Sequence, residues 1–203
     1  MKLFKPPRLT DWVLPRLTWR FSVSEPVVFI TFDDGPNPEI TPFVLDLLKT
    51  YNWKATFFCV GENITKYPEL FQRILAEGHA VGNHTMKHLN SVKTANADYL
   101  ASFREFEQHY STRLFRPPYG RIRPSMAKAI GKSHCIIMWS WLSYDYDLSV
   151  PDERILAEAK RIQKGDVLVL HDNAKIAARQ QHLLPALFQF IQDAGFRSEA
   201  ISV

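Results

Sequence analysis

The stretch Val27-Val28-Phe29-Ile30-Thr31-Phe32-Asp33-Asp34-Gly35-Pro36 joins an apolar run to two adjacent carboxylates and a turn. The run 27–32, rich in β-branched and aromatic side chains, reads as a buried strand, and Gly35-Pro36 ends it. The two aspartates therefore stand at the strand's carboxyl end, where α/β folds put their chemistry. Neighbouring side chains point different ways. One aspartate can bind a metal while the other works on a water beside it, given more ligands from elsewhere in the chain.

Outward from this stretch, apolar runs and amphipathic segments alternate. Strands are expected at 27–32, 55–60, 79–83, 113–116, 134–140, 166–171 and 196–202, and helices at 40–51, 64–77, 95–111, 124–131, 152–163 and 180–194. Such alternation argues for parallel strands wrapped by helices. Polar residues follow several different strands at their carboxyl ends, and these converge on one mouth only if the sheet curls round. The expectation is an α/β fold, a distorted seven-stranded β/α barrel over residues 26–203, preceded by a basic and aromatic strap over 1–25.

With 203 residues and 46% apolar content, the chain can bury a full core without staples. Its two cysteines, Cys59 and Cys135, lie in apolar runs without metal-ligand spacing and are expected to be reduced. A net charge of +4 falls short of a nucleic-acid signature, so no nucleic-acid partner is expected. Within Met1–Glu25, Pro6, Pro7 and Pro15 interrupt any apolar stretch a signal peptide would need, which leads us to expect a cytoplasmic or membrane-peripheral location. Trp12, Val13, Leu14, Leu17 and Trp19 interleave with Lys2, Lys5, Arg8, Arg16 and Arg20, a pattern compatible with a membrane surface or with a strap packed across the barrel bottom. No feature sets an oligomeric state.

Three further clusters can supply chemistry. His84 and His88, four apart after the strand 79–83, would share one face of a first helical turn and could bind one ion; the alternative is a solvated helix face. With Asp34 as third ligand and Asp33 as base they would complete a site open to water and substrate. Arg116-Pro117-Pro118-Tyr119-Gly120 is a rigid turn in which only Tyr119 and Gly120 follow the prolines with amide donors, suited either to oxyanion stabilisation or to a plain proline-rich turn. His171 closes the apolar run 167–170, as a core histidine or a general acid.

In this order, Thr31-Phe-Asp-Asp-Gly-Pro36, His84-Thr-Met-Lys-His88 and Arg116-Pro-Pro-Tyr-Gly120 resemble the first three motifs of the polysaccharide deacetylases of the NodB-homology type, the family 4 carbohydrate esterases. The resemblance runs from Val27 to Val203. It implies a distorted seven-stranded β/α barrel and metal-dependent removal of N-acetyl groups from amino sugars or glycans. It also implies Asp33 as general base, Asp34, His84 and His88 as ligands of one divalent metal, zinc in our expectation, and His171 as acid. Arg116 would hold Asp33, and the Tyr119 amide would help stabilise the oxyanion.

The fourth motif departs from the family. Trp139 leads to Leu142 where an aspartate is usual, and to Asp145-Tyr146 in place of Asp-Trp. Asp145 should orient His171, while Leu142 puts the hold on Arg116 in question. Val169 and Leu170 suit a pocket for the acetyl methyl, and Trp141, Tyr144, Tyr146 and Tyr119 offer flat faces for a sugar ring, with structural packing equally open to Trp141 because it shares a strand face with Ile137 and Trp139. The expected activity is N-deacetylation; O-acetyl esterase chemistry or a carbohydrate-binding pseudoenzyme are the competing readings.

Overall fold

The computed structural model describes residues 2–203. In its first half the elements are α1 (Leu9–Val13), β1 (Leu17–Thr18), β2 (Val27–Asp33), α2 (Thr41–Thr50), β3 (Thr56–Cys59), α3 (Gly61–Lys66), α4 (Pro68–Ala76) and β4 (Ala80–Asn83). The second half adds α5 (Asn96–His109), β5 (Leu114–Phe115), α6 (Pro124–Ile130), β6 (Cys135–Ile137), β7 (Trp141–Leu142), α7 (Asp152–Ala159), β8 (Val167–His171), α8 (Ala177–Asp193) and β9 (Arg197–Ser198). The strands pair in parallel in the order β1-β6-β5-β4-β3-β2-β8-β7, with β9 beside the start of β2. The result is a curled α/β half-barrel with its helices outside.

Alternation along β2 divides the interior from the helical layer. Val28, Ile30 and Phe32 join the core that α2 and α8 cover through Val44, Leu48, Leu184 and Leu187. Val27 and Phe29 pack instead with Phe58, Ile137 and Val167. By the same alternation Thr31 and Asp33 share the inner face, so the carboxylate is presented above an apolar plug. Gly82 makes room for that plug, because a Cβ there would come 2.4 Å from the Phe58 ring.

Among the described residues nine strands form, where the sequence leads one to expect seven. The two additions, β1 and β7, each have only two residues, too few for a periodic signal. The apolar run 134–140 does not continue as one strand. After β6 the chain crosses the opening of the barrel: Met138 N donates to Thr18 O at 2.7 Å and Ser140 N to Val167 O at 3.1 Å. This crossing, rather than a ladder between β1 and β7, bridges the gap. The expected helix 64–77 is likewise two helices, since Pro68 opens α4 and holds Tyr67 at φ −128°, ψ 60°, outside the helical region.

The segment ahead of β2 is bound to the body at both poles. Phe4, 2% exposed, packs edge-on against Tyr144 with ring centroids 5.0 Å apart, and its carbonyl accepts from Leu142 N at 2.8 Å, covering the outer edge of β7. Phe21 N donates to Gly165 O at 2.8 Å, at the amino-terminal end of β8. Cys59 and Cys135 are both free thiols. Among the described residues no helix is long and apolar enough to cross a membrane.

Emptying the Phe4 site should be costly and truncating an exposed residue nearby should not. Phe4→Ala is expected to lower the unfolding free energy by about 3 kcal/mol. Trp12→Ala, on the surface of α1, should stay within about 0.5 kcal/mol of the parent, both read from urea unfolding followed by circular dichroism.

Candidate functional site

Asp33 is the last residue of β2 and Asp34 the first beyond it. Asp33 keeps the inward orientation of the strand and accepts from Arg116 Nη1 at 2.7 Å. Asp34 leaves the strand at φ +83°, in the left-handed region, which turns its carboxylate toward the histidine loop. The turn is held from just beyond β8: Asp172 N donates to Asp33 O at 3.1 Å, and its carboxylate accepts from Gly35 N at 3.0 Å and Thr41 Oγ1 at 2.6 Å. A Cβ at Gly35 would lie 2.1 Å from that carboxylate, so the close approach requires glycine.

His84 and His88 do meet Asp34, but not on a helical turn. Residues 84–88 form an irregular loop, with Thr85 at φ +64° and His88 at φ +49°. The loop is pinned by Asn83 Oδ1, which accepts from Thr85 N at 2.7 Å, and by Ser102 O, which accepts from Met86 N at 3.0 Å. His88 Nε2 lies 3.2 Å and His84 Nε2 3.8 Å from Asp34 Oδ1, and the three ligand atoms fall within 4.8 Å of one another. Asn173 Nδ2 holds the other carboxylate oxygen at 2.9 Å, and Asn63 Nδ2 the Asp34 carbonyl at 2.7 Å.

These residues fit a divalent cation. Burial pushes His84 down to about 4, outweighing the nearby carboxylates, so its imidazole is neutral. Its Nδ1 sits 2.8 Å from Arg116 O, a pure acceptor, so Nδ1 carries the proton and the Nε2 lone pair faces Asp34. A lone pair facing a carboxylate is an arrangement that a cation relieves. Asp34 is ready for the same role: burial opposes its ionisation, yet the hydrogen bond to His88 and the charge of His171 hold its carboxyl well below the usual range.

Arg116, immediately after β5, is completely buried. Its guanidinium donates to Asp33, to Thr31 Oγ1 at 2.6 Å, to Ile137 O at 3.2 Å and to Met138 O at 2.9 Å, and lies 4.1 Å over the Phe58 ring. Leu142 is buried in β7 and removes no anchor that this arginine lacks, because the carbonyls of the crossing 137–138 satisfy it. In the turn that follows, Tyr119 adopts φ +60° and its amide has no hydrogen-bond partner among the described residues.

His171 ends β8 directly beside Asp33 in the sheet register. Its Nδ1 lies 2.7 Å from Asp145 Oδ1, while Asp145 Oδ2 accepts from His171 N at 2.8 Å and Gln180 Nε2 at 2.6 Å. Burial opposes a charged imidazole here, but the Asp145 carboxylate outweighs it, and His171 is raised to about 9.

Two of the four aromatics border the site. Tyr119 is 60% exposed and lies 4.6 Å from the His88 ring; Tyr146 is 46% exposed and 5.0 Å from His171. Of the two roles open to Trp141, the structure gives it the packing one: it is fully buried, with Nε1 donating to Glu158 O at 3.2 Å. Tyr144 is tied to the amino-terminal segment through Leu3 O. Sequence reasoning passed over Thr31, Asn63, Asp172, Asn173 and Gln180. Gln180 carried a signal, a polar residue on the buried stripe of α8 with Leu183, Leu184 and Leu187. Asn173 and Asp172 adjoin His171 in the chain. Asn63 has only its fold-dependent neighbours to reveal it.

Comparison with known proteins points the same way. Residues 21–134 match the family model described as polysaccharide deacetylase. The chain is 33% identical over 194 residues to a peptidoglycan-N-acetylglucosamine deacetylase of Bacillus cereus, covering 92% of this chain and 91% of that protein. It is 30% identical over 195 residues to a chitooligosaccharide deacetylase of Sinorhizobium fredii, covering 87% and 91%. The fold superposes with a TM-score of 0.83, at 29% identity and over 97% of this chain and 95% of the other, on the crystal structure of the Bc1960 peptidoglycan N-acetylglucosamine deacetylase with a bound N-oxidanyl-benzamide. Other relatives are longer; the chain spans 46% of one and 33% of another.

The His171–Asp145 pair can be read by NMR titration of the metal-free protein. The imidazole should titrate near pH 9, and Asp145→Asn should bring it down by at least about one unit. Because the folded value is raised, its contribution to stability is complete below the unfolded value of 6.5 and is lost as pH rises through about 9.

Proposed function

We propose a hydrolytic function for this chain, which belongs to the polysaccharide deacetylase family: it removes acetyl groups from the nitrogen of N-acetylated amino sugars within a glycan. The observation that carries the reading is the convergence, on one mouth, of a carboxylate paired with buried arginine, a two-histidine and carboxylate cluster, and a histidine backed by a carboxylate.

Asp34, His84 and His88 would hold one divalent metal. Two imidazoles and one carboxylate favour zinc over magnesium or calcium, which prefer all-oxygen shells. The ion, when bound, supplies Lewis acidity and brings the pKa of water at the site toward neutrality.

The remaining work falls to the chain itself. Asp33, oriented by Arg116, takes a proton from the attacking water as the water oxygen bonds to the acetyl carbon. The free Tyr119 amide donates to the oxygen on which negative charge develops. As the carbon–nitrogen bond breaks, protonated His171 gives its proton to the departing amine, leaving acetate and a free amino sugar. A group raised to about 9 is protonated at neutral pH, and Asp145 supports that state. Tyr119 and Tyr146 border the mouth from the His88 and His171 sides, where a pyranose ring could stack.

The test is acetate release from N-acetylglucosamine oligomers, peptidoglycan fragments and O-acetylated xylan, with free amine assayed in parallel. The expected result is acetate and amine in equal amounts from an N-acetylated substrate, with about one zinc per chain that His88→Ala loses. Release only from the O-acetylated polymer would overturn the nitrogen assignment. A metal-loaded protein inactive on every acetylated glycan offered would favour the pseudoenzyme.

A further inference from the structure

The barrel has a second distinctive pole. Helix α1 lies at the amino-terminal ends of the strands: it precedes β1, which runs parallel to β6, and Arg8 Nη2 reaches Gln163 Oε1 at 3.3 Å while Lys5 pairs with Asp166 at 2.6 Å, both partners just ahead of β8. The mouth is at the opposite ends of the same strands.

On a helix, residues 9, 12 and 13 share one face. Here that face is apolar and turned outward, with Leu9 66%, Trp12 85% and Val13 66% exposed. Leu14 extends it. The inner side of the helix carries the polar contacts: Asp11 pairs with Arg20 at 3.2 Å, and Thr10 Oγ1 donates to Pro7 O at 2.9 Å. A helix normally buries its apolar face and solvates its polar one. This one does the reverse, although a five-residue helix has no intrinsic stability to spend on such an arrangement.

The charges around the face are of one sign. Between Lys2 and Arg20 there are five basic residues and a single acidic one, Asp11, which is turned inward onto Arg20. Arg8 and Arg16, exposed at either end of the apolar face, form no ion pair among the described residues. Beside the helix runs a groove of about 1000 Å³ lined by Arg8, Asp11, Trp12, Trp19, Arg20 and Phe21. Within its lining, Trp19 Nε1 and Arg20 Nη2 are buried donors without hydrogen-bond partners.

We propose that this pole is a peripheral docking surface for an anionic lipid bilayer. Trp12, Leu9 and Val13 enter the headgroup and acyl boundary, where tryptophan is favoured. Arg8 and Arg16 meet the negative surface. An anionic bilayer matches the interleaving of apolar and cationic side chains on one short element better than a neutral protein face does. Docked in this way, the protein holds its mouth away from the lipid, toward glycan in the aqueous phase.

The experiment is co-sedimentation of the full chain with vesicles of phosphatidylcholine alone and of phosphatidylcholine mixed with phosphatidylglycerol. Two arginines at the surface should favour the mixed vesicles by at least ~10-fold at low salt. Trp12→Glu should abolish that binding, and Arg8→Glu with Arg16→Glu should remove the anionic preference, with circular dichroism unchanged in each. Turnover of a water-soluble acetylated substrate should be the same with and without vesicles, so the docking surface can fail without touching the deacetylase reading. Equal binding to both vesicle types, or retention of binding by Trp12→Glu, would overturn the proposal. So would a Trp12-dependent dimer in sedimentation velocity with no lipid binding.

Discussion

The Arg116 guanidinium is fully buried and forms an ion pair with one carboxylate, that of Asp33. Leaving a buried charge without its partner costs about 3–5 kcal/mol, so this pair constrains everything around it. It joins the end of β5 to two inward residues of β2 and to the carbonyls of the crossing that follows β6. Beneath it lies Phe58, whose ring occupies space left by Gly82. Above it, the carbonyl of the same arginine accepts a hydrogen bond from His84 Nδ1 and so points Nε2 at Asp34. One residue thus orients the proposed base through its side chain and a proposed metal ligand through its backbone.

The separation of roles between two adjacent aspartates follows from backbone geometry. Asp33 keeps the strand conformation and its carboxylate stays on the inner face with Arg116. Asp34 adopts φ +83° and its carboxylate goes to the histidines and Asn173. The left-handed conformation is unfavourable for a residue other than glycine, with aspartate and asparagine among the more tolerant. The turn is held there by Asp172, Thr41 and Asn63. Those supporting contacts come from the end of β8, α2 and α3, segments far apart in sequence and adjacent only once the sheet has curled.

That dependence also explains what could be read before the structure. The long strand β2, with its apolar alternation and terminal acid pair, was plain in the chain, as were α2, α5 and α8. Ligand candidates were legible because histidine pairs and acid pairs are rare together and their motifs stand at strand ends. The loop that carries His84 and His88 was not, because spacing by four suggests a helical turn, and the left-handed residues at Thr85 and His88 are set by Asn83 and Ser102. Trp141 stayed open between sugar platform and core packing for a related reason: the chain leaves the strand at Met138, so alternation counted from Ile137 does not by itself assign its face. The anchoring of Arg116 without an acid at position 142 depends on main-chain carbonyls, which no side-chain pattern records.

In the proposed reaction Asp33 handles a proton while Asp34 holds a metal. Metal content and turnover of Asp33→Asn and Asp34→Asn, measured side by side on protein shown to be folded, test it most directly. Asp33→Asn should keep about one ion per chain, lose some stability with the charge facing Arg116, and fall at least ~100-fold in turnover. Asp34→Asn should lose the ion. An Asp33→Asn protein that sheds its metal, or turns over at the parent rate, would contradict the account.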